Sequence, residues 1–363
     1  MKVLHILCEL NPSGAETMLL CASPYMQERG IQSEILSTGH TPGLFANTLE
    51  NAGYKIHHIP FRKSPHYFIS LYRLLKKQSY DSIQVHTEQA SFWVIMVILF
   101  SGIPARHCIR TIHSTFPFTG YLGWRRAWQR QLLSYLGVPH IAISKSVQEI
   151  ELKHFKLKTD VIQNWYDSNR FVKTSDLQRS ISRQKMNISA NNFVLVTVGN
   201  CSLIKNHSAL IKAIANLGNK TIVYLHIGIE KDADEQDLAK ALGIRDQIRF
   251  LGLQSDILPF LQAADLFVMP STFEGFGISA IEAIATELPV LLTRVPGLID
   301  FVDIFNGLHY CEPTAKALEK ALEKIINIPK EQLDLATLKN AKEAEQRFGI
   351  IRGASAYIAY FQS

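Results

Sequence analysis

Short runs rich in β-branched residues alternate with helix-length amphipathic segments along the whole of this 363-residue chain. Segments such as 17–29, 42–52 and 69–77 carry apolar residues at helical spacing. The strand candidates of the first half are Val3–Cys8, Glu34–Ser37, Lys55–Ile59, Ser82–His86, Arg106–His113 and His140–Ser144. Alternation of this kind predicts an α/β fold of parallel sheets with helices on both faces.

A change of texture at 164–185, where polar and turn-prone residues replace the apolar rhythm, predicts a domain boundary. A second series of strands then follows at Phe193–Val198, Thr221–Ile227, Ile248–Phe250, Leu266–Met269 and Val290–Thr293. We therefore predict one doubly wound domain over 1–168, with 350–363 packing on it, and a second over 169–349. Two such domains imply a cleft, with ligands bound beyond the carboxyl ends of the strands.

The composition excludes several classes of protein. The five cysteines include no C-x-x-C pair, so neither a disulfide framework nor a zinc knuckle is expected, and a reducing compartment is favoured. The first residues are predicted to form a buried strand rather than a secretory leader. The longest apolar run, Phe92–Phe100, is far shorter than the roughly 20 residues of a membrane span. We expect a cytoplasmic protein.

The net charge of +6 is confined to one half of the chain. Residues 1–168 hold 17 Lys and Arg against 11 Asp and Glu, whereas 169–363 hold 21 of each. Such an excess favours an anionic partner such as a lipid surface or a phosphorylated substrate, although it also serves solubility. RNA binding would depend on charge alone, so we expect no nucleic-acid partner.

The stretch from Met269 to Ala283 is a strand end, a glycine-bearing loop and an apolar helix. The chain has no G-x-G-x-x-G after its first strand and no G-x-x-x-x-G-K-[ST], so phosphate must be bound in another way. Gly277 allows a sharp turn, and a helix that begins near Ile278 would direct free amides at a pyrophosphate. Glu274 and Glu282 could each accept hydrogen bonds from neighbouring sugar hydroxyls, or Glu282 could only stabilise the helix dipole.

Two further loops follow predicted strands. Lys205 ends the loop after Phe193–Val198 and is either a diphosphate ligand or an ordinary surface lysine. Gly14 lies in the loop after the first strand, where it would open the first helix toward the same cleft.

Together these loops resemble the family 4 glycosyltransferases of the GT-B fold. The Glu, seven residues, Glu motif of that family stands here as Glu274 and Glu282 in FEGFGISAIEA. Further matching segments are SGAE at 13–16, the IHS that contains His113, 161–171, VGN and Lys at 198–205, FLGL at 250–253, AADLFVMPS at 263–271 and PVL at 289–291. The resemblance implies two Rossmann-like domains facing each other across a cleft, with a C-terminal helix that returns to the N-terminal domain.

The resemblance also implies roles for individual residues. Glu274 is similar to the acid on the donor sugar, Glu282 to the acid on the ribose and Lys205 to the base on the diphosphate. The other implied donor-site residues are Gly14, Leu253, Phe276, Gly277, Ile278 and, on the sugar's C6 side, His113. Asn200 stands where the family usually has Arg, and Glu287 where it usually has Gly, which puts donor affinity in question.

The implied reaction is transfer of a hexose from a UDP-sugar to a hydroxyl of a glycan or polyprenyl-diphosphate-linked acceptor, with retention. The chain looks most like bacterial enzymes of exopolysaccharide or envelope polysaccharide synthesis. Glucose is the preferred donor sugar and N-acetylglucosamine the next. No cofactor or metal is implied, and the one Asp-x-Asp, at Asp232 and Asp234, is interpreted as helix capping.

The acceptor is expected on the N-terminal domain, where a predicted helix at 121–133 carries Arg125, Arg126 and Arg130 together with two tryptophans. That composition suits contact with anionic lipid at the inner face of the membrane. The alternatives are a solvated helix with inward tryptophans and, for the whole chain, an idle nucleotide-sugar-binding subunit or a UDP-sugar 2-epimerase.

Overall fold

The computed structural model describes residues 1–88, 90–113, 118–230 and 234–362. The chain divides into two compact units. Unit 1 is Met1–Tyr166 together with the segment that begins at Phe348, and unit 2 is Asp167–Arg347. Both divisions fall two residues before the boundaries that the change of texture and the last apolar segment predict.

Unit 1 contains a parallel seven-stranded sheet in the order β3-β2-β1-β4-β5-β6-β7. Its strands are β1 Lys2–Leu7, β2 Gln32–Ser37, β3 Lys55–His58, β4 Ser82–Val85, β5 Cys108–Ile112, β6 His140–Ala142 and β7 Asp160–Val161. Its first helices are α1 Gly14–Glu28, α2 Ala46–Asn51, α3 Pro65–Gln78, α4 Ser91–Phe100, α5 Gly120–Tyr135 and α6 Lys145–Phe155. The strand order reverses between β1 and β4. Because such crossovers are right-handed, α1 and α2 lie on one face of the sheet and α3 to α6 on the other.

Unit 2 contains a parallel six-stranded sheet in the order β10-β9-β8-β11-β12-β13. Its strands are β8 Phe193–Val198, β9 Ile222–Ile227, β10 Ile248–Phe250, β11 Leu266–Met269, β12 Val290–Thr293 and β13 Leu308–Cys311. Its helices are α7 Asp176–Lys185, α8 His207–Leu217, α9 Asp234–Ala241, α10 Leu258–Ala263, α11 Ile278–Ala285, α12 Ala315–Ile326, α13 Lys330–Thr337 and α14 Asn340–Phe348. The strand order reverses between β8 and β11, and ligands of doubly wound sheets bind at such a reversal.

The last helix, α15 Ile350–Gln362, belongs to unit 1 and packs on α1. Trp165 is buried against it and donates from Nε1 to the carbonyl of Met18 at 2.9 Å. A Cβ at Gly353 would lie 2.1 Å from the Trp165 ring, so only glycine allows this contact. The predicted return of the C-terminal helix to the N-terminal domain is confirmed.

Candidate active site

Lys205 and Glu274 form an ion pair at the carboxyl edge of the unit 2 sheet. Lys205 follows β8 and Glu274 follows β11, the two strands on either side of the reversal. Lys205 Nζ lies 2.5 Å from Glu274 Oε1, and the hydroxyl of Ser271 donates to the same oxygen at 2.8 Å. Both side chains are partly accessible. A charged amine and a carboxylate are therefore held together where a ligand is expected.

Backbone contacts fix the positions of these two loops. The amide of Thr272 donates to the carbonyl of Ile204 at 2.8 Å, which ties the loop after β11 to the loop after β8. The Thr293 hydroxyl, at the end of β12, donates to the Ser271 carbonyl at 2.6 Å. The ion pair thus depends on neighbouring strand ends, and Ser271 is a site residue that the motif analysis missed.

Gly277 is the N-cap of the helix α11 and has a left-handed backbone, with φ 82°. A Cβ there would lie 2.7 Å from Leu298 Cδ2, so both conformation and packing require glycine. The helix begins at Ile278, as predicted, and the first amides of a helix have no intrahelical acceptors. The phenyl ring of Phe276 is buried and packs edge-on against Phe301, with 5.7 Å between the ring centroids. Only the backbone of Phe276 is therefore available to a ligand.

Glu282 lies on α11 and is buried. Burial raises the pKa of its carboxyl to about 7, against the attraction of Arg170 and with repulsion from Asp167. Hydrogen-bond donors such as a pair of ribose hydroxyls would stabilise the charged form of this buried carboxyl, because they replace its lost hydration.

Asn200 and Leu253 lie on the loops after β8 and β10. The Asn200 side-chain oxygen accepts from the amide of Ile229 at 2.8 Å, so it joins the loops after β8 and β9. The apolar side chain of Leu253 is 42% exposed. Its strand, β10, is two strands away from β8, so the two strands are separated by on the order of 10 Å across the sheet. That spacing is comparable to the distance from a diphosphate to its base.

The other two predicted residues, Gly14 and His113, lie in unit 1. Gly14 is the first residue of α1, directly after the N-cap Ser13. Ser13 donates to Glu16, whose pKa burial raises to about 7. His113 follows β5, two strands away from the end of β1 that leads to Gly14.

His113 shares a hydrogen bond with a second histidine that the motifs did not indicate. His113 Nε2 and His86 Nδ1 are 2.9 Å apart. Burial lowers the pKa of His113 to about 4, against the attraction of Glu88. Burial also lowers the pKa of His86, and the neighbouring histidines add to this effect. Both rings are therefore neutral near pH 7, and one shared proton fixes their tautomers.

The prediction that three arginines of α5 face a membrane is wrong for two of them. Arg130 is buried between Glu151, at 2.8 Å, and Glu88, also at 2.8 Å. Arg126 donates to the Glu88 carbonyl at 2.8 Å and is mostly buried. Only Arg125 is exposed. The buried arginines hold α5 to α6 and to the loop after β4.

The expectations on helix capping, metal ligands and membrane spans are compared with the described residues alone. Asp232 lies outside the described residues, whereas Asp234 is the first residue of α9. Among the residues that the structure describes, no three His, Cys, Asp or Glu side chains group as metal ligands do. Within the same ranges no helix is both long and apolar enough to cross a bilayer.

Family models match nearly the whole chain. The family described as Glycosyltransferase Family 4 matches residues 12–170, and Glycosyl transferases group 1 matches residues 178–344. The putative glycosyltransferase EpsF of Bacillus subtilis is 23% identical over 327 residues, which are 85% of this chain and 82% of EpsF. The lipopolysaccharide core biosynthesis glycosyltransferase LpsE of Rhizobium meliloti is 33% identical over 47% of this chain and 48% of LpsE.

Solved structures share the fold over the full length. Anabaena Alr3699/HepE in complex with UDP-glucose has a TM-score of 0.81 at 23% identity and covers 100% of this chain and 99% of its own. A glycosyltransferase from Rickettsia africae has a TM-score of 0.83 at 16% identity, covering 99% of this chain and 97% of its own. With two parallel-sheet units and both family matches, the chain belongs to the family 4 glycosyltransferases of the GT-B fold and is a transferase enzyme.

Proposed function

We propose that this enzyme transfers a hexose from a UDP-sugar to a hydroxyl of a glycan or polyprenyl-diphosphate-linked glycan, with retention of configuration, in polysaccharide synthesis. Glucose is the preferred sugar and N-acetylglucosamine the second candidate. The observation that carries the proposal is the Lys205–Glu274 pair beside the open N-terminus of α11 at the strand reversal. Alr3699/HepE, with the same fold, is described with bound UDP-glucose.

Each part of the donor has a counterpart in unit 2. The diphosphate is assigned to the first amides of α11 and to Lys205, because both offer donors to an anion. The ribose is assigned to Glu282, the base to Leu253 and the sugar hydroxyls to Glu274. Asn200 contributes no charge, since it is neutral and its oxygen is bonded to Ile229.

Glu274 is proposed to position the sugar rather than to attack it. Its Oε1 already accepts from an ammonium and a hydroxyl, which lowers the nucleophilicity of that oxygen. Retention then follows from attack on the face that the phosphate leaves. The bond from C1 to the phosphate oxygen breaks, the bond from C1 to the acceptor oxygen forms, and the phosphate oxygen takes the acceptor's proton.

The charge on the departing UDP is proposed to be neutralised by Lys205 and the helix amides without a divalent ion. UDP release in the presence of EDTA is the measurement that checks this part. Undiminished turnover supports it, and a requirement for added Mg²⁺ or Mn²⁺ contradicts it.

The main test is UDP release from a panel of UDP-sugars by the wild type and by Lys205→Met and Glu274→Gln. Each substitution is expected to lower kcat by about 100-fold or more, since it removes charge or hydrogen bonding at the reacting group. Glu323→Gln, an exposed carboxylate on α12, is the matched control. Nucleotide binding without turnover for any acceptor would instead favour an idle subunit, and a changed sugar in the nucleotide pool would favour an epimerase.

A further inference from the structure

Two histidines follow neighbouring strands at the carboxyl edge of the unit 1 sheet. His86 comes directly after β4, one of the two strands between which the strand order reverses, and His113 comes directly after β5. The amide of His86 donates to the carbonyl of Ile6 at 2.9 Å, so its backbone continues the sheet. Because ligands of doubly wound sheets bind at such a reversal, the two histidines lie where unit 1 is expected to meet a substrate.

One hydrogen bond joins the two rings. His86 Nδ1 and His113 Nε2 are 2.9 Å apart, and the ring planes are inclined by 31° to each other. A hydrogen bond between two ring nitrogens contains a single proton, so one nitrogen donates and the other accepts. Because both rings are neutral, the direction of this bond also determines which of their two remaining nitrogens carries a proton.

Two arrangements satisfy this hydrogen bond. In the first, His86 Nδ1 donates, so His86 Nε2 is bare and His113 carries its proton on Nδ1. In the second, His113 Nε2 donates, so His86 carries its proton on Nε2 and His113 Nδ1 is bare. The arrangements differ in whether the free nitrogen of His113 offers a substrate a hydrogen-bond donor or an acceptor.

The surroundings of His86 favour the first arrangement. Its Nε2 is buried and has no hydrogen-bond partner among the residues that the structure describes. The neighbouring ring of His5, at 5.9 Å between centroids, bonds to Gln84 through Nδ1 at 3.0 Å and to Ser33 through Nε2 at 3.4 Å. A proton on Nε2 of His86 would therefore be a buried donor without an acceptor. Such donors are rarer in folded proteins than underused acceptors, because they lose their hydration without compensation.

The polar groups beneath His86 are paired with one another. Gln84 accepts from His5 Nδ1 through Oε1 and donates from Nε2 to the hydroxyl of Thr111 at 2.8 Å. That hydroxyl lies 3.3 Å from the hydroxyl of Tyr357 on α15. This row of bonds crosses the sheet from β1 to the last helix, and none of its members accepts from Nε2 of His86.

We propose that His86 is a positioning residue that keeps the proton of His113 on Nδ1, so that His113 acts as a hydrogen-bond donor to a substrate oxygen and not as a base. His113 is then the residue that touches substrate, and His86 acts through it. The basic nitrogen of His113, Nε2, is occupied by His86 and cannot take a proton from an acceptor hydroxyl. The inference rests on the proposed function in this respect, because the acceptor's proton is left to the departing phosphate oxygen.

The direct test is NMR spectroscopy of the full chain, isotopically labelled at the histidine ring nitrogens. Couplings between ring carbon-bound protons and the nitrogens identify the protonated nitrogen, and His86→Phe and His113→Phe assign the two rings by the signals that they remove. Both histidines of the wild type are expected to be protonated on Nδ1 near pH 7. In His86→Phe the proton of His113 should be divided between Nδ1 and Nε2. No nucleotide sugar is needed for these measurements.

The kinetic test is UDP release from UDP-glucose by variants of both histidines. His86→Phe should lower kcat about five- to tenfold, and His86→Gln, whose amide can still donate to His113, should restore part of it. Adding His86→Phe to His113→Phe should have no further effect, because His86 acts only through the ring that is already lost. His66→Phe, at an exposed histidine of α3, is the matched control and should retain the wild-type kcat.

Three outcomes would overturn the inference: a wild-type His113 protonated on Nε2, an unchanged kcat in His86→Phe, or additive losses in the double variant. Circular dichroism shows whether each variant is folded, and the tautomers of the wild type decide the question if one is not. The expected tautomers in a wild type that releases UDP from no UDP-sugar would retain the direction of the hydrogen bond and refute the proposed function.

Discussion

Replacing Glu282 with glutamine is expected to stabilise unit 2 above pH 7 while weakening its binding of the donor. Burial raises the pKa of this carboxyl from 4.5 to about 7, so the folded protein retains a proton that the unfolded chain has lost. Unfolding then releases a proton between these two values, and stability falls as the pH rises from about 4.5 to about 7. Glutamine cannot ionise and removes that penalty.

The magnitude follows from the shift. At about 1.4 kcal/mol per pKa unit, ionisation of Glu282 costs about 3 kcal/mol of folding free energy at pH 8. At pH 5 the cost is below about 1 kcal/mol, because the folded carboxyl is protonated and the unfolded one only partly ionised. A buried amide without partners offsets about 1–2 kcal/mol of the gain. The difference between variant and wild type should nevertheless grow by roughly 2 kcal/mol from pH 5 to pH 8.

The assay is thermal unfolding of the wild type, Glu282→Gln and Glu323→Gln at several pH values. A gain of roughly 2 kcal/mol corresponds to about 4–8 °C in the melting temperature of a unit of this size. The exposed Glu323→Gln should leave the melting temperature unchanged at every pH. A stability difference for Glu282→Gln that does not change with pH, or that shrinks toward pH 8, would show that the folded protein does not keep Glu282 protonated.

Three other outcomes are expected. The wild type should bind UDP-glucose about tenfold more tightly at pH 8 than at pH 6, because a Glu282 carboxyl with a pKa of about 7 is about ten times more ionised at the higher pH and its ionised form accepts from the ribose. Isothermal titration of Glu282→Gln should show no such pH dependence. Gly277→Ala should destabilise the protein by more than the about 1–2 kcal/mol of left-handed strain alone, since its Cβ meets Leu298 at 2.7 Å. Gly218→Ala, at φ 60° with no atom within 4 Å of the added Cβ, shows the strain alone in denaturant melts and should leave donor binding intact. His86→Phe removes the hydrogen bond to His113, so it should lower kcat roughly five- to tenfold without changing UDP-glucose affinity. His86→Gln, which can form a hydrogen bond, should restore part of the lost kcat.

The strands of unit 2 were the best predicted elements. The bounds of β8, Phe193–Val198, match because a run of buried β-branched residues stands between polar residues and Gly199. By contrast β13, Leu308–Cys311, was missed because its LHYC sequence is only partly buried at a sheet edge. The polar helix α7, Asp176–Lys185, lies in the stretch that the sequence analysis interprets as a turn-prone domain boundary. Arg179 and Arg183 anchor it through ion pairs with Asp265, a partner far away in the sequence.

The parts of the site that depend on a local sequence pattern were predictable. Gly277 and Ile278 mark a loop and a helix start that the neighbouring residues alone determine. The pairing of Lys205 with Glu274 depends on the strand order, which local spacing does not reveal. The same limit explains the error at Arg130, whose burial depends on carboxylates 21 and 42 residues away.

In the proposed complex the donor's diphosphate lies on the open amides of α11, with Lys205 beside it and carboxylates on the hydroxyls at either end. A crystal structure of the complex with UDP-glucose tests this most directly. We expect phosphate oxygens within hydrogen-bonding distance of the Ile278 and Ser279 amides, and ribose hydroxyls on Glu282. A diphosphate bound away from α11, or a ribose that does not contact Glu282, would contradict it.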